Sequence, residues 1–347
     1  MLGSGHAKAD YIFGTPTEVE NVNSSSRDLK PSVSADGLSL FFTSFRPGGL
    51  GGMDIWVTTR KTTDDPWGEP VNLGSPVNSS AWETGCISYD GLSFYLSSTR
   101  NRGSNANADL WVTTRYTIHS EWETPMNLGP TVNSSVDQCY ISISADELSL
   151  YFSSNRGGGY GAYDLWVTTR ETIHDPWCTP VNLGATVNSA AYEVDPGISA
   201  DGRILFFASD RSGGYGGDSD IWMTSRATTD EPWGRPVNLG PILNSSASED
   251  YPNVLADGST LFFRYSQSGR YSGGNIWQAP IIPIVDFNGD RIVDAEDMCI
   301  MVDHWGENYS LCDIGPMPWG DGVVDVEDLI VLAEHLFETI PGRPIQP

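Results

Sequence analysis

The sequence has no apolar run approaching the roughly 20 residues that a membrane span needs, so insertion into a bilayer is not expected. Basic residues are scarce: 19 Lys and Arg stand against 45 Asp and Glu, a formal net charge of −26. Such a chain is repelled by nucleic acid and by anionic membrane surfaces and attracts cations. Only 5 cysteines occur, and none has zinc-ligand spacing. Cys299 and Cys312 flank an expected helix and are candidates for one bridge; Cys86 and Cys139 stand near the starts of comparable strands. No Ser-His-Asp or Cys-His arrangement is evident. The opening MLGSGHAKAD is too short and polar for a signal peptide, although Ala7-Lys8-Ala9 has the look of a cleavage-site tail.

What is abundant is turn and strand chemistry: 37 Gly, 22 Pro and 12 Trp. A repeat organises it. DIWVTTR at Trp56 returns as DLWVTTR at Trp111 and Trp166, DIWMTSR at Trp222 and NIWQAP at Trp277, about 55 residues apart each time. Before each lies a strand-like run (LSLFFTS, LSFYLSS, LSLYFSS, ILFFAS, TLFFRYS), and before that a short strand and tight turn such as SVSADG or GISADG. A fourth strand follows the first four copies, as in PWGEPVNLG, but none follows Trp277. The missing copy is at the start, where Tyr11-Ile12-Phe13-Gly14-Thr15-Pro16 matches the Trp–Gly–Pro segment at Trp67. Four short strands per unit at this period predict a mainly β fold: a five-bladed β-propeller of four-stranded blades, closed by the N-terminal strand. Closure removes exposed sheet edges, and the propeller is expected to be monomeric.

The SADG turns, FFxSxR strands, glycine-rich hairpins and DIW strands of residues 11–280 resemble the TolB-type (WD-repeat-like) β-propeller repeats of bacterial envelope and secreted proteins. That resemblance implies a scaffold and no particular ligand.

Several residues recur. Arg46 with Asp54, Arg100 with Asp109, Arg156 with Asp164 and Arg211 with Asp220 become Gln267 with Asn275 in the fifth unit. Their joint change predicts that the two side chains meet across the hairpin as a structural brace. The hairpins RPGGLGGM, RGGGYGAY and RSGGYGGDS lack the strand–loop–helix context of phosphate loops and read as turns. The VNSS segments, with N-x-S triplets at Asn78, Asn133 and Asn244, read as local side-chain turns. His119 and His174 fall in loops where Asp64 and Asp230 stand in other units, which suggests a solvated role.

Acidic residues open the units: Asp28, Glu83, Asp137, Glu193, and Glu249 with Asp250. Ringing one mouth of the channel, they are open to three readings: cation coordination, pairing with polar backbone, or acid–base chemistry. A glycosidase requires two carboxylates in different environments, which a near-symmetric ring does not offer. Trp82, Tyr140, Tyr192 and Tyr251 break the symmetry and suit either packing or the faces of sugar rings.

Beyond a short linker, 281–285, comes DFNGDRIVDAED at residues 286–297. A twelve-residue calcium loop takes oxygens from positions 1, 3, 5, 7, 9 and 12. Here these are Asp286, Asn288, Asp290, the Ile292 carbonyl, Asp294 and Asp297, with Arg291 where glycine is usual. The second copy places Asp321, Asp325 and Asp328 at positions 5, 9 and 12; Met317 and Trp319 at positions 1 and 3 offer no side-chain oxygen, and Asp313 is a substitute through an enlarged loop. Leu329, Leu332, Ala333, Leu336 and Phe337 mark the apolar face of the following helix.

These two units, within residues 286–338, resemble a type I dockerin, a small α-helical, EF-hand-like, calcium-dependent plug for cohesin modules. The resemblance implies Ca2+ as cofactor, a cohesin-like partner, a secreted or cell-surface bacterial protein, and association with polysaccharide breakdown. It assigns partner choice to Ala295, Glu296, Val326 and Glu327, which depart from the usual serine–threonine pair. With tails at 1–10 and 339–347, the expected protein is a binding or scaffold propeller, with polysaccharide as ligand; the alternative is a glycoside hydrolase or lyase using channel carboxylates.

Overall fold

The computed structural model describes residues 11–100, 107–267, 269, 273–283, 285–288, 292–307, 309, 312–315 and 323–337. They fall into two compact units, one of residues 15–256 and 260–279, the other of the described residues among 1–14, 257–259 and 280–347.

The larger unit is a five-bladed propeller of antiparallel meanders. Blade 1 comprises Asp28–Val33, Ser39–Ser44, Asp54–Thr59 and Val71–Asn72, and blades 2, 3 and 4 repeat it from Glu83, Gln138 and Glu193. Blade 5 takes Ser248–Val254, Thr260–Ser266 and Asn275–Pro283 from the end of the repeat and Thr17–Glu18 from the start of the chain. The fourth strand lies slightly later than the sequence suggests: Thr17 pairs with Gln278 and Glu18 with Trp277. Tyr11–Phe13 pairs instead with Ile281–Pro283, part of the expected linker, which is the far end of the same strand.

The blades adhere through alternating apolar side chains. Phe41 and Ile55 of blade 1 pack with Ile87, Phe94, Leu96 and Trp111 of blade 2, and the same layer recurs at other junctions. The asparagine of each NS segment is a clamp rather than a local turn. Asn78 accepts from Ile55 N (2.9 Å) and donates to Ile55 O (2.8 Å), tying the third strand to the inter-blade connection. Asn133, Asn188, Asn244 and Asn23 do the same for Leu110, Leu165, Ile221 and Ile276.

The smaller unit holds two helices, α1 (Ala295–Asp303) and α2 (Val326–Glu334), around a core of Val285, Val293, Met301, Cys312, Ile314, Val324, Val331 and Leu332. Of the face expected on α2, Leu332 is buried and Leu329 and Leu336 pack against this core, but Ala333 and Phe337 are exposed and Val331 takes their place. None of the five cysteines is in a disulfide: Cys312 belongs to the core while Cys299 is exposed, so no 299–312 bridge forms.

Candidate functional site

The acids that open the blades are fully buried at four positions: Asp28, Glu83, Glu193 and Glu249. In each, a serine four residues earlier wraps the carboxylate through N–H and hydroxyl, as Ser79 does for Glu83 at 3.1 and 2.6 Å. The recurring arginine completes this socket. Arg46 lies 2.8 Å from Asp28, Arg100 3.5 Å from Glu83 and Arg211 2.9 Å from Glu193. The expected Arg–Asp brace across the hairpin is therefore incorrect. Asp54 instead accepts from the N–H groups of Leu50 and Gly51 and from Asn72 Nδ2. In the fifth blade that last pair is reversed, Asn275 donating to Glu18. The joint change of Gln267 and Asn275 thus belongs to two separate contacts.

Two blades break the socket in opposite ways. In blade 3 the residue in the socket is Gln138, four after Ser134, and Asp137 sits half-exposed one place earlier, accepting from Ala108 N and Tyr163 Oη. Burial pushes the Arg156 guanidinium down to about 10. In blade 5 the arginine is replaced by Gln267, and among the described residues no guanidinium pairs with Glu249; burial pushes its carboxyl up to about 7, the hydrogen bonds from Ser245 oppose the rise, and Asp220 and Asp250 add to it. The serine spacing was the signal that identifies Gln138 over Asp137.

One layer inward, the first strands carry Lys30, Tyr140, Asp195 and Tyr251 at bulges, with φ of 52°, 53°, 58° and 55°. Left-handed backbone at a non-glycine residue costs on the order of 1–3 kcal/mol and is found at ligand sites and at over-determined packing positions. Blade 2 has no bulge, and a Cβ on its Gly85 would come within 2.3 Å of the Tyr95 carbonyl oxygen. Tyr140 and Tyr251, from non-adjacent blades, meet edge to face at 5.4 Å and so plug the channel. Lys30 is buried beside them; desolvation lowers its pKa while Cys86, Asp195 and Cys139 oppose the shift. Asp250 is held by Arg264 at 2.8 Å, both fully buried.

First strands of all five blades also line a cavity of about 20 Å³, including Ser32, Cys86, Ser142 and Asn253. That is room for about one water molecule. Ser32, Ser142 and Asn253 accept N–H groups of neighbouring blades, from Ile87, Ile198 and Val33. The polar groups around the channel are thus largely spent on joining blades. Of the other aromatics, Trp82 packs edge-on against Phe45 at 6.4 Å and Tyr192 stacks on Tyr163 at 5.8 Å. His119 and His174 are exposed in turns closed by Thr117 and Thr172.

In the smaller unit the two loop–helix copies share one design. Asp294 and Asp325 are N-caps, and each forms a capping box with Asp297 or Asp328. Asp297 accepts from Phe287 N (2.6 Å), Asn288 N (3.2 Å) and Asp294 N (2.9 Å). Asp328 accepts from Ile314 N, Gly315 N (2.7 Å) and Asp325 N (2.7 Å); burial raises its carboxyl pKa, against these hydrogen bonds. The N–H pair after Asp286 therefore corresponds to the pair after Asp313, which makes the second loop the longer one. Asp286 is half-buried, and Asn288 and Ile292 are exposed; Asp290 and Asp321 lie outside the described residues. Ala295, Glu296, Val326 and Glu327 are exposed on the first helical turns.

Hard oxygens at loop positions 1, 3, 9 and 12, the last two in the helix cap, are the donor chemistry a calcium ion takes. Among the described residues no three His, Cys, Asp or Glu side chains are grouped closely enough to hold a metal.

No protein-family model matches the chain, and no curated protein matches it. Among solved structures it is similar to an α-L-arabinofuranosidase from Lactobacillus brevis, 11% identical, with a TM-score of 0.53 over 74% of this chain and 90% of that one. It is also similar to a thermostable family-43 glycoside hydrolase (16% identity, TM-score 0.49, 77% of this chain, 92% of that one). TolB from Acinetobacter baumannii is matched at 15% identity and a TM-score of 0.46, over 75% of this chain and 55% of that one. The chain thus spans about 55% of that TolB's length. At these identities the likeness is one of fold.

Proposed function

We propose that the chain is a polysaccharide-binding propeller, carried into a secreted bacterial assembly by a dockerin-like module that loads Ca2+ and docks on a cohesin-like partner. The observation that carries this reading is the duplication in the smaller unit. The second capping box repeats the first thirty-one positions later, and each buried aspartate gathers the N–H groups that open its own loop. Around both copies apolar side chains are exposed, among them Ile292, Val302, Val323, Val326 and Ile330. Such surface suits a protein partner.

Binding is favoured over hydrolysis by the state of the channel carboxylates. A glycosidase acid and its partner must reach substrate from two distinct environments. Glu83 and Glu193 are instead enclosed, each held by serines and an arginine.

Calorimetric titration with Ca2+ tests the proposal on the intact chain and on a variant carrying Asp286→Ala and Asp297→Ala. Saturable binding is expected in the first and its loss, or a fall of at least about tenfold, in the second. A stabilisation of about 2.7 kcal/mol should accompany Ca2+ at 100 times Kd. Undiminished binding in the variant would remove the first loop from the proposal.

A further inference from the structure

With the channel plugged and its carboxylates engaged, a glycan must be met elsewhere on the propeller. The hairpins between second and third strands offer the place. At their tips stand Leu50, Tyr160 and Tyr215 in blades 1, 3 and 4, with 52%, 53% and 49% of their surfaces exposed. These tips are held, not loose. The buried aspartate that opens each third strand accepts the tip's own N–H, at 2.6 Å for both Tyr160 and Tyr215. Glycines seat the hairpin on the next blade, where a Cβ on Gly161 would come within 2.1 Å of the Ala191 carbonyl oxygen, and one on Gly217 within 1.6 Å of that of Ala247. Backbone is thereby fixed while the aromatic ring projects.

Blades 3 and 4 add to this surface. Tyr163 stacks on Tyr192 at 5.8 Å with 19° between the rings, and both are half-exposed. Tyr192 N donates to the exposed Asp210 carboxylate at 2.8 Å, and Tyr163 Oη to Asp137 at 2.7 Å. We infer that Tyr160, Tyr163, Tyr192 and Tyr215, with Asp210, form a binding face for a neutral polysaccharide. This rests on the glycan-binding reading given above. Rigid tyrosines supply amphipathic contact area at little entropic cost, and their faces match the C–H faces of pyranose rings. Carboxylate oxygens accept sugar hydroxyls. A net charge of −26 selects against anionic polymers such as polyuronates, and holding the tips before binding lowers the ordering cost.

The test is affinity electrophoresis of the intact chain in soluble xyloglucan, galactomannan and mixed-linkage β-glucan, with polygalacturonate as the anionic control. At least one neutral polymer should retard it. The double variant Tyr160→Ala, Tyr215→Ala should bind that polymer at least about tenfold more weakly with an unchanged Tm, and Tyr160→Trp, Tyr215→Trp should keep binding. Retardation undiminished in the alanine variant would overturn the assigned face while leaving the glycan-binding reading in place. Retardation by polygalacturonate alone would overturn the neutral-polymer face while leaving the glycan-binding reading in place, and retardation by no polymer would overturn both.

Discussion

Replacing Arg264 by methionine is expected to destabilise the propeller by about 3–5 kcal/mol, read as a fall in the denaturant midpoint at unchanged slope. The cause is the buried carboxylate left behind. Arg264 and Asp250 face each other across the first two strands of blade 5, 2.8 Å apart and both without solvent exposure. The guanidinium also caps the Gly269 and Gly273 carbonyl oxygens. Every other blade fills the same two positions without charge: Leu29 with Thr43, Thr84 with Ser97, Cys139 with Ser153 and Val194 with Ala208. Asp250→Val combined with Arg264→Met, which makes the pair apolar, should therefore recover most of the loss, because an apolar pair of similar volume replaces a buried ion pair at little cost. A single variant within about 1 kcal/mol of the parent would show that the pair contributes nothing its absence exposes.

The second large effect concerns Glu249 and pH. Its carboxyl titrates near 7 in the folded protein against an ordinary 4.5. The folded state therefore holds a proton that the unfolded chain has already released, and stability contributed by this group falls as pH rises from about 4.5 to 7. The full difference is on the order of 3 kcal/mol. Glu249→Gln should abolish this slope and stabilise the protein at pH 8 by roughly 2 kcal/mol, measured by urea unfolding across pH. Rebuilding the socket with Gln267→Arg and Tyr265→Ser should do likewise while keeping the carboxylate, since Arg46, Arg100 and Arg211 pair with its counterparts in blades 1, 2 and 4. A parent profile that stays flat between pH 4.5 and 7 would contradict this account.

Blade number and closure were legible because they depend on counting. Each element is a repeated string, and a missing fourth strand at one end with a surplus one at the other admits few arrangements. Side-chain partners were less legible. The arginine and the aspartate change together in blade 5, yet they belong to different contacts that happen to be altered in the same blade. Only the alternation of strand faces separates Arg46, which reaches Asp28, from Asp54, which turns to its own hairpin. The exposed tyrosines are half legible: Tyr192 breaks the symmetry of the repeat, but Tyr160, Tyr163 and Tyr215 lie in glycine-rich strings that read as turns. The calcium-loop pattern gave oxygens at the right positions. Asp290 and Asp321 lie outside the described residues; Asp313, which the sequence offers as a substitute through an enlarged loop, is matched to Asp286 by the hydrogen bonds that follow each.

The way blade 5 is assembled also sets a clock. Thr17 and Glu18 are made first and wait for Trp277 and Gln278, which leave the ribosome some 260 residues later. At roughly 5–20 residues per second that interval is tens of seconds, during which the first four blades are made one after another and the ring stays open. Final locking is thus a long-range, late event. An opening strand free in the meantime is also able to complete the blade of a neighbouring chain, so crowding of nascent chains favours exchange of strands between molecules over closure within one.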